Sequence, residues 1–262
     1  DGTTNPQTPQ QEKGTDPYPT GQSQGQARKS VSQSLKASGE LFRCRLLLPI
    51  SSPPVEDAAF IADNGILLAV GPWKDLRKDW TGSITDLQER VVLPGLVNPH
   101  VHLEYTDMLG ELPSQQGFTN WVDQMVQLKR SWEPVQYQRS WLKGLEQQIP
   151  CGTTTLADTL SHHALLGCMA KPPKSPRLKI LLEWIHTQDA PLPSSSMDRM
   201  QQTLTLADHW SDGLAGSSPH APYTTTPSLW EALGKLPQSP ERICSVHLAE
   251  SVEEISYFQV AN

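Results

Sequence analysis

A strand ending in His100-Val101-His102 constrains this chain of 262 residues more than any other stretch in it. Side chains alternate between faces along a strand, so residues 100 and 102 project to one side while Val101 packs on the other. The run before them, Val91-Val92-Leu93-Pro94-Gly95-Leu96-Val97-Asn98-Pro99, supplies the apolar strand. Two neutral imidazoles fixed in this way suit a divalent metal, and a catalytic metal site takes about three protein ligands with one position open. A third ligand must come from elsewhere. Taken alone, the pair also reads as a polar strand end.

The second constellation is His247-Leu248-Ala249-Glu250, which follows the apolar run Ile243-Cys244-Ser245-Val246 and lies where a strand meets a loop. Ser251-Val252-Glu253-Glu254 then has the spacing of a capping box, which predicts a helix with Ser251 as N-cap. His247 therefore ends a strand and Glu250 sits in the turn, where a carboxylate near a metal can carry protons. Glu253 and Glu254 read as solvated charges in the first helical turn.

These motifs, with Leu93–Glu104 and Ser218-Pro219-His220-Ala221-Pro222-Tyr223-Thr224, resemble the amidohydrolase superfamily over residues 40 to 262, and most closely its heterocycle deaminases and chlorohydrolases. His100–Glu104 and Phe118-Thr119-Asn120-Trp121 are similar to aminofutalosine and nucleoside deaminases. The resemblance implies that His100 and His102 are metal ligands from the first barrel strand, that His247 is the ligand from the fifth, and that Glu250 is the proton shuttle. His220, ending the fourth strand, faces the substrate. Glu104, two residues past the pair and on its face by parity, is expected to bind substrate as well. Two-metal members use a modified lysine at the end of strand four, where this chain reads Gly213-Leu214-Ala215-Gly216-Ser217-Ser218-Pro219-His220. One divalent ion, Zn2+ or Fe2+, is therefore implied. Pro99 departs from the family's usual small residue, and because proline lacks the strand N–H, irregular pairing is expected there.

Beyond residue 95, apolar runs alternate with helix-period stretches, the signature of βα units around a parallel sheet. About five units are read, with strands near 96–103, 153–158, 178–185, 214–219 and 243–247. Helices are predicted over Phe118–Trp132, where Trp121 is placed to line a pocket, and from Thr226 as N-cap with Pro227 at the first position. The expected fold class is α/β: a partial (β/α)8 TIM-like barrel over 95–262, preceded by a small β-sandwich-like domain over 40–94. In that domain, strands at 41–50, 58–62 and 66–70 accompany the tight-turn signal Asp63-Asn64-Gly65. A hairpin extension of the barrel is the alternative. Active sites of such barrels are built at the C-terminal strand ends, so His100, His102, His220, His247 and Glu250 map to one rim. A full barrel takes about 250 residues, and roughly 170 follow position 95, so three strands are expected to be missing.

Residues 1–39, rich in Thr, Gln, Gly, Ser and Pro, lack apolar periodicity and are expected to be a disordered tail. The net charge of −7 without a basic cluster argues against nucleic acid. No apolar run approaches the ~18 residues that span a bilayer. Cys44, Cys151, Cys168 and Cys244 are scattered and read as reduced thiols of a cytoplasmic protein. The expected partner is a small heterocyclic molecule, with a homo-oligomer admitted. The expected function is metal-dependent hydrolysis of a non-peptide C–N bond, deaminating a heterocycle such as an adenine-type nucleoside. A chlorohydrolase, or a truncated barrel without activity that serves as a binding or scaffold module, stands as the alternative. His162, His163, His186 and His209 read as surface or packing residues, while Asp158, Glu183 and His186 lie near strand ends and keep a lesser claim on substrate.

Overall fold

A computed structural model describes residues 39–112, 117–188 and 190–260. Of the stretch expected to be a disordered tail, residues 1–38 lie outside them. The chain divides into two compact units, one ending at Pro94 and the other beginning at Gly95.

In the first unit, β1 (Glu40–Leu47), β2 (Val55–Asp63) and β3 (Ile66–Pro72) form an antiparallel meander. A short helix α1 (Trp73–Arg77) follows, and β4 (Ser83–Asp86) and β5 (Val91–Val92) pair parallel to β1. Asn64 and Gly65 both take positive φ, 47° and 78°, as the strand twist demands of a two-residue hairpin. Among the described residues the unit is one mixed sheet. Trp73, Leu76 and Trp80 pack with Leu41, Ala59 and Ile61.

In the second unit, β6 (Leu96–Val101), β7 (Thr153–Leu160), β8 (Arg177–Trp184) and β9 (Gly216–Pro219) form a curled parallel sheet in that order. The segment around Cys244 takes a fifth place through one bridge: Ser217 N–H donates to the Ile243 carbonyl and Ser245 N–H to the Ser217 carbonyl, each at 3.0 Å. Gly216 permits this approach, because a Cβ there would run into the Ile243 carbonyl oxygen. The β6–β7 register shifts between Asn98 and Val101, the irregularity expected around Pro99.

Helices α2 (Phe118–Ser131), α3 (Pro134–Gln148), α4 (Ser194–Trp210), α5 (Pro227–Lys235) and α6 (Val252–Val260) belong to this unit. α3 begins where Pro134 presets φ and the Gln136 side chain accepts the Glu133 N–H at 2.8 Å. Its Tyr137, Trp141 and Leu145 recur every fourth residue and are buried. The core joins these to Leu156 and Leu160 of β7 and to Leu178, Ile180 and Leu182 of β8, with Val101 packed alongside. Each such side chain contributes about 1.5–3 kcal/mol on burial. Alternation then turns His100, Thr159 and Glu183 to the opposite face of the sheet.

Two sequence expectations are corrected here. The first strand stops at Val101 instead of 103, and Leu103–Met108 is a 3-10 turn. The β7–β8 connection contains a 3-10 turn, His163–Gly167, in place of a helix. Among the described residues, no helix is long and apolar enough to cross a membrane.

Candidate metal centre

The ends of β6 and of the fifth segment bring three imidazoles together: the ligand atoms of His100, His102 and His247 all lie within 4.8 Å of one another. Ring centroids are 5.2 Å apart for His100 and His102, 4.8 Å for His100 and His247, and 5.7 Å for His102 and His247. Backbone registry holds the third ring. His220 N–H donates to the Trp184 carbonyl at 3.0 Å, and the His220 carbonyl accepts both His247 N–H at 2.7 Å and the His247 ring Nδ1 at 3.0 Å.

That last bond fixes a tautomer. A carbonyl only accepts, so Nδ1 of His247 carries the proton and its Nε2 is left bare in the neutral ring. This Nε2 points at His100 Nε2 across 3.2 Å, while His100 Nδ1 meets Thr159 Oγ1 at 3.3 Å. Burial, reinforced by neighbouring imidazoles, pushes two of the rings toward neutrality: His102 is lowered to about 3, and His100 is also lowered. His102 Nδ1 is buried without a hydrogen-bond partner among the described residues. Converging neutral imidazoles with an orphaned ring nitrogen form a donor set that fits a divalent cation.

His220 stands beside the cluster, 4.9 Å from His247 between ring centroids. Thr224 Oγ1 meets its Nδ1 at 2.7 Å and donates its own proton to the Ala221 carbonyl at 3.1 Å. With the hydroxyl proton on the Ala221 carbonyl, Nδ1 of His220 carries the hydrogen and its Nε2 is left as an acceptor. Burial, then His247, lowers this ring to about 4.

Glu250 is exposed on the loop between His247 and α6, directly after Ala249 at φ 55°. Its N–H donates to Glu254 Oε2 at 2.8 Å, and Glu254 N–H donates to Ser251 Oγ at 3.1 Å. The capping serine is therefore as expected. Glu254 is not the solvated charge that was expected, since it turns back over the helix end and is only 5% exposed.

Glu104 lies past the end of the strand, in the Leu103–Met108 turn, so strand parity does not fix its face. It is fully buried, and its Oε1 accepts Ser161 N–H at 2.7 Å and His162 N–H at 3.4 Å. Glu183 at the end of β8 comes closer to the centre, with Oε1 at 3.9 Å from His102 Nε2. A charged residue closing the apolar run Leu178–Trp184 was its sequence signal. Burial pushes its carboxyl up, with the Ser161 hydroxyl and the nearby Lys129 charge acting the other way. Asp158 is spent on structure, accepting Leu103 N–H at 3.0 Å and Trp141 Nε1–H at 2.7 Å. His162 stacks on Tyr137, His163 packs edge-on to Trp184, His186 meets Thr226 Oγ1 at 2.7 Å, and His209 meets the Thr205 carbonyl within its own helix. Trp121 is half-buried in α2 and stacks against Phe118.

Residues 91–261 match the Amidohydrolase family. Similar sequences include the 5-methylthioadenosine/S-adenosylhomocysteine deaminases of Moorella thermoacetica (28% identical, covering 80% of this chain and 49% of the relative) and Syntrophobacter fumaroxidans (27%, 73% and 44%). Among solved structures, the Helicobacter pylori aminofutalosine deaminase in complex with methylthio-coformycin superposes with a TM-score of 0.70 at 16% identity, covering 83% of this chain and 53% of that one. A zinc-bound adenosine deaminase from Xanthomonas campestris gives 0.65 at 21% identity, with 86% and 52% covered. At such identities the structural likeness shows a shared fold. The chain spans about half the length of the curated relatives it matches.

Proposed function

Since the chain belongs to the amidohydrolase family, we propose that His100, His102 and His247 hold one divalent ion, zinc or iron, in a hydrolase that deaminates a heterocycle such as an adenine-type nucleoside. The observation that carries this reading is the bare Nε2 of His247 aimed at His100 Nε2 across 3.2 Å. The small β unit at residues 40–94 and the barrel portion at 95–262 are the domains of this enzyme, and the cytoplasm is its compartment. The relatives' deamination of adenine-containing nucleosides supports the substrate class.

A divalent ion held by these three imidazoles would activate a bound water by lowering its pKa toward ~7. The residues do the rest. Glu250, exposed on the rim, takes a proton from the attacking water and delivers it to a ring nitrogen or to the leaving amine. His220 Nε2 accepts a hydrogen bond from the substrate and orients it, because Thr224 holds the ring's proton on the other nitrogen. Glu104 acts at one remove, bracing the backbone at 161 and 162.

The test is ammonia release by the zinc-loaded and iron-loaded protein from adenine-type nucleosides, pterins and triazines. Ammonia from a nucleoside, lost in His102→Ala, is the expected result. Metal uptake without turnover of any substrate would favour a binding module instead, and chloride release from a chlorinated triazine would favour dechlorination.

A further inference from the structure

We infer that Glu183 is a further ligand to the metal of this site, its carboxylate taking a coordination position beside His102 and His247. This extends the proposed metal centre and rests on it. Glu183 is the carboxylate, among the described residues, whose oxygen groups with imidazole nitrogens: its ligand atom and those of His220 and His247 lie within 4.8 Å of one another. Oε1 also stands 3.9 Å from His102 Nε2.

The two oxygens of Glu183 are treated differently. Ser161 Oγ–H donates to Oε2 and fixes the carboxylate plane. Oε1 is buried and has no hydrogen-bond partner among the described residues, and the side chain is only 4% exposed. A buried carboxylate oxygen left unpaired is costly, and such charges are retained where they are paired or coordinate metals. As metal ligands the imidazoles are neutral, so none of them supplies the countercharge. Lys129 lies over the Tyr105 ring at 4.7 Å and makes no ion pair with Glu183 among the described residues.

The converse holds for the cation. Three neutral imidazoles leave both of its charges uncompensated, and a carboxylate oxygen within reach offsets one. Glu104 and Glu254 each also keep one buried oxygen without a partner, but among the described residues neither groups with imidazole nitrogens as Glu183 does, and Glu250 faces solvent. Ser161 then plays the part of the hydrogen-bonding group that orients a ligating carboxylate.

Cobalt(II) tests this, because its visible bands report the ligands directly. Loaded into Glu183→Gln, cobalt should bind at least tenfold more weakly than in the unaltered protein and show a changed visible spectrum. Equal affinity with an identical spectrum would overturn the assignment. Weaker binding with an unchanged spectrum would overturn it too, since Glu183 would then only orient His102. Should Glu183→Gln fail to fold, the infrared difference spectrum on adding cobalt to Glu250→Gln decides. A metal-dependent shift of a carboxylate stretch is expected, and its absence would overturn the assignment. No cobalt uptake by the unaltered protein would contradict the metal centre itself, and this ligand with it.

Discussion

His100 and His247 are 147 positions apart in the chain, and their Nε2 atoms meet at 3.2 Å. Main-chain registry produces the meeting. β8 places the Trp184 carbonyl, which positions His220, whose carbonyl in turn takes both the amide and the ring Nδ1 of His247. The side chain of His220 is thereby left for a separate task.

Thr224→Val isolates that task. Valine keeps the shape of threonine but removes the hydroxyl partner of His220 Nδ1, leaving that part-buried nitrogen unsatisfied at a cost of about 1–3 kcal/mol. Removing an orienting partner of this kind typically costs about 10–100-fold. We expect kcat/KM for ammonia release to fall by that factor while elemental analysis finds the bound metal unchanged. Full activity would show that the hydroxyl does not set the tautomer.

Gly216→Ala should disturb the metal without touching any imidazole. The added methyl meets the Ile243 carbonyl, which Ser217 N–H uses to dock the segment leading to His247. Overpacking of this kind costs about 1–3 kcal/mol. A lower urea midpoint is expected together with weaker metal binding in a chelator competition; a loss of stability with intact metal binding would show that the fifth segment is held in another way.

The Arg242–Asp208 fork gives a stability signal with a defined pH sign. Both guanidinium nitrogens reach the carboxylate at 2.9 Å, and Arg242 also donates to the Ala215 carbonyl at 2.8 Å. Burial pushes Asp208 up, but Arg242 and the Ala215 amide outweigh it and hold the carboxyl below its ordinary value. A depressed carboxyl stabilises the fold above its unfolded pKa of ~3.9 and ceases to do so as pH falls through the folded value. Arg242→Met should therefore cost about 1.5–3 kcal/mol at pH 7, with the gap to the unaltered protein narrowing below pH ~4. Urea titrations at both pH values check this, and a gap independent of pH would contradict it.

Much of this architecture is legible in the sequence, for identifiable reasons. Period-two alternation around His100 and His102, and the apolar run before His247, depend only on local chain geometry, so strand ends and their shared rim can be read directly. Glu104 could not be placed by the same parity. Asp158, more than fifty residues downstream, takes the Leu103 N–H and turns the chain into a 3-10 turn before Glu104 is reached. Glu183 carried a partial signal, since Leu178, Ile180 and Leu182 face the core and so put it on the other side of β8. Its nearness to His102 depends on how far the sheet curls, which no single segment encodes. Glu254 followed its capping-box pattern, yet its burial came from reaching the Glu250 amide instead of that of the cap residue.

The most direct measurement is a zinc titration in competition with a chromophoric chelator, run on the unaltered protein, His102→Ala and His247→Ala. Three imidazoles gathered on one ion predict one tightly bound equivalent in the unaltered protein. In each variant, affinity should fall at least about 100-fold, equivalent to roughly 2.8 kcal/mol. Zinc binding of the same strength and stoichiometry in both variants would contradict it.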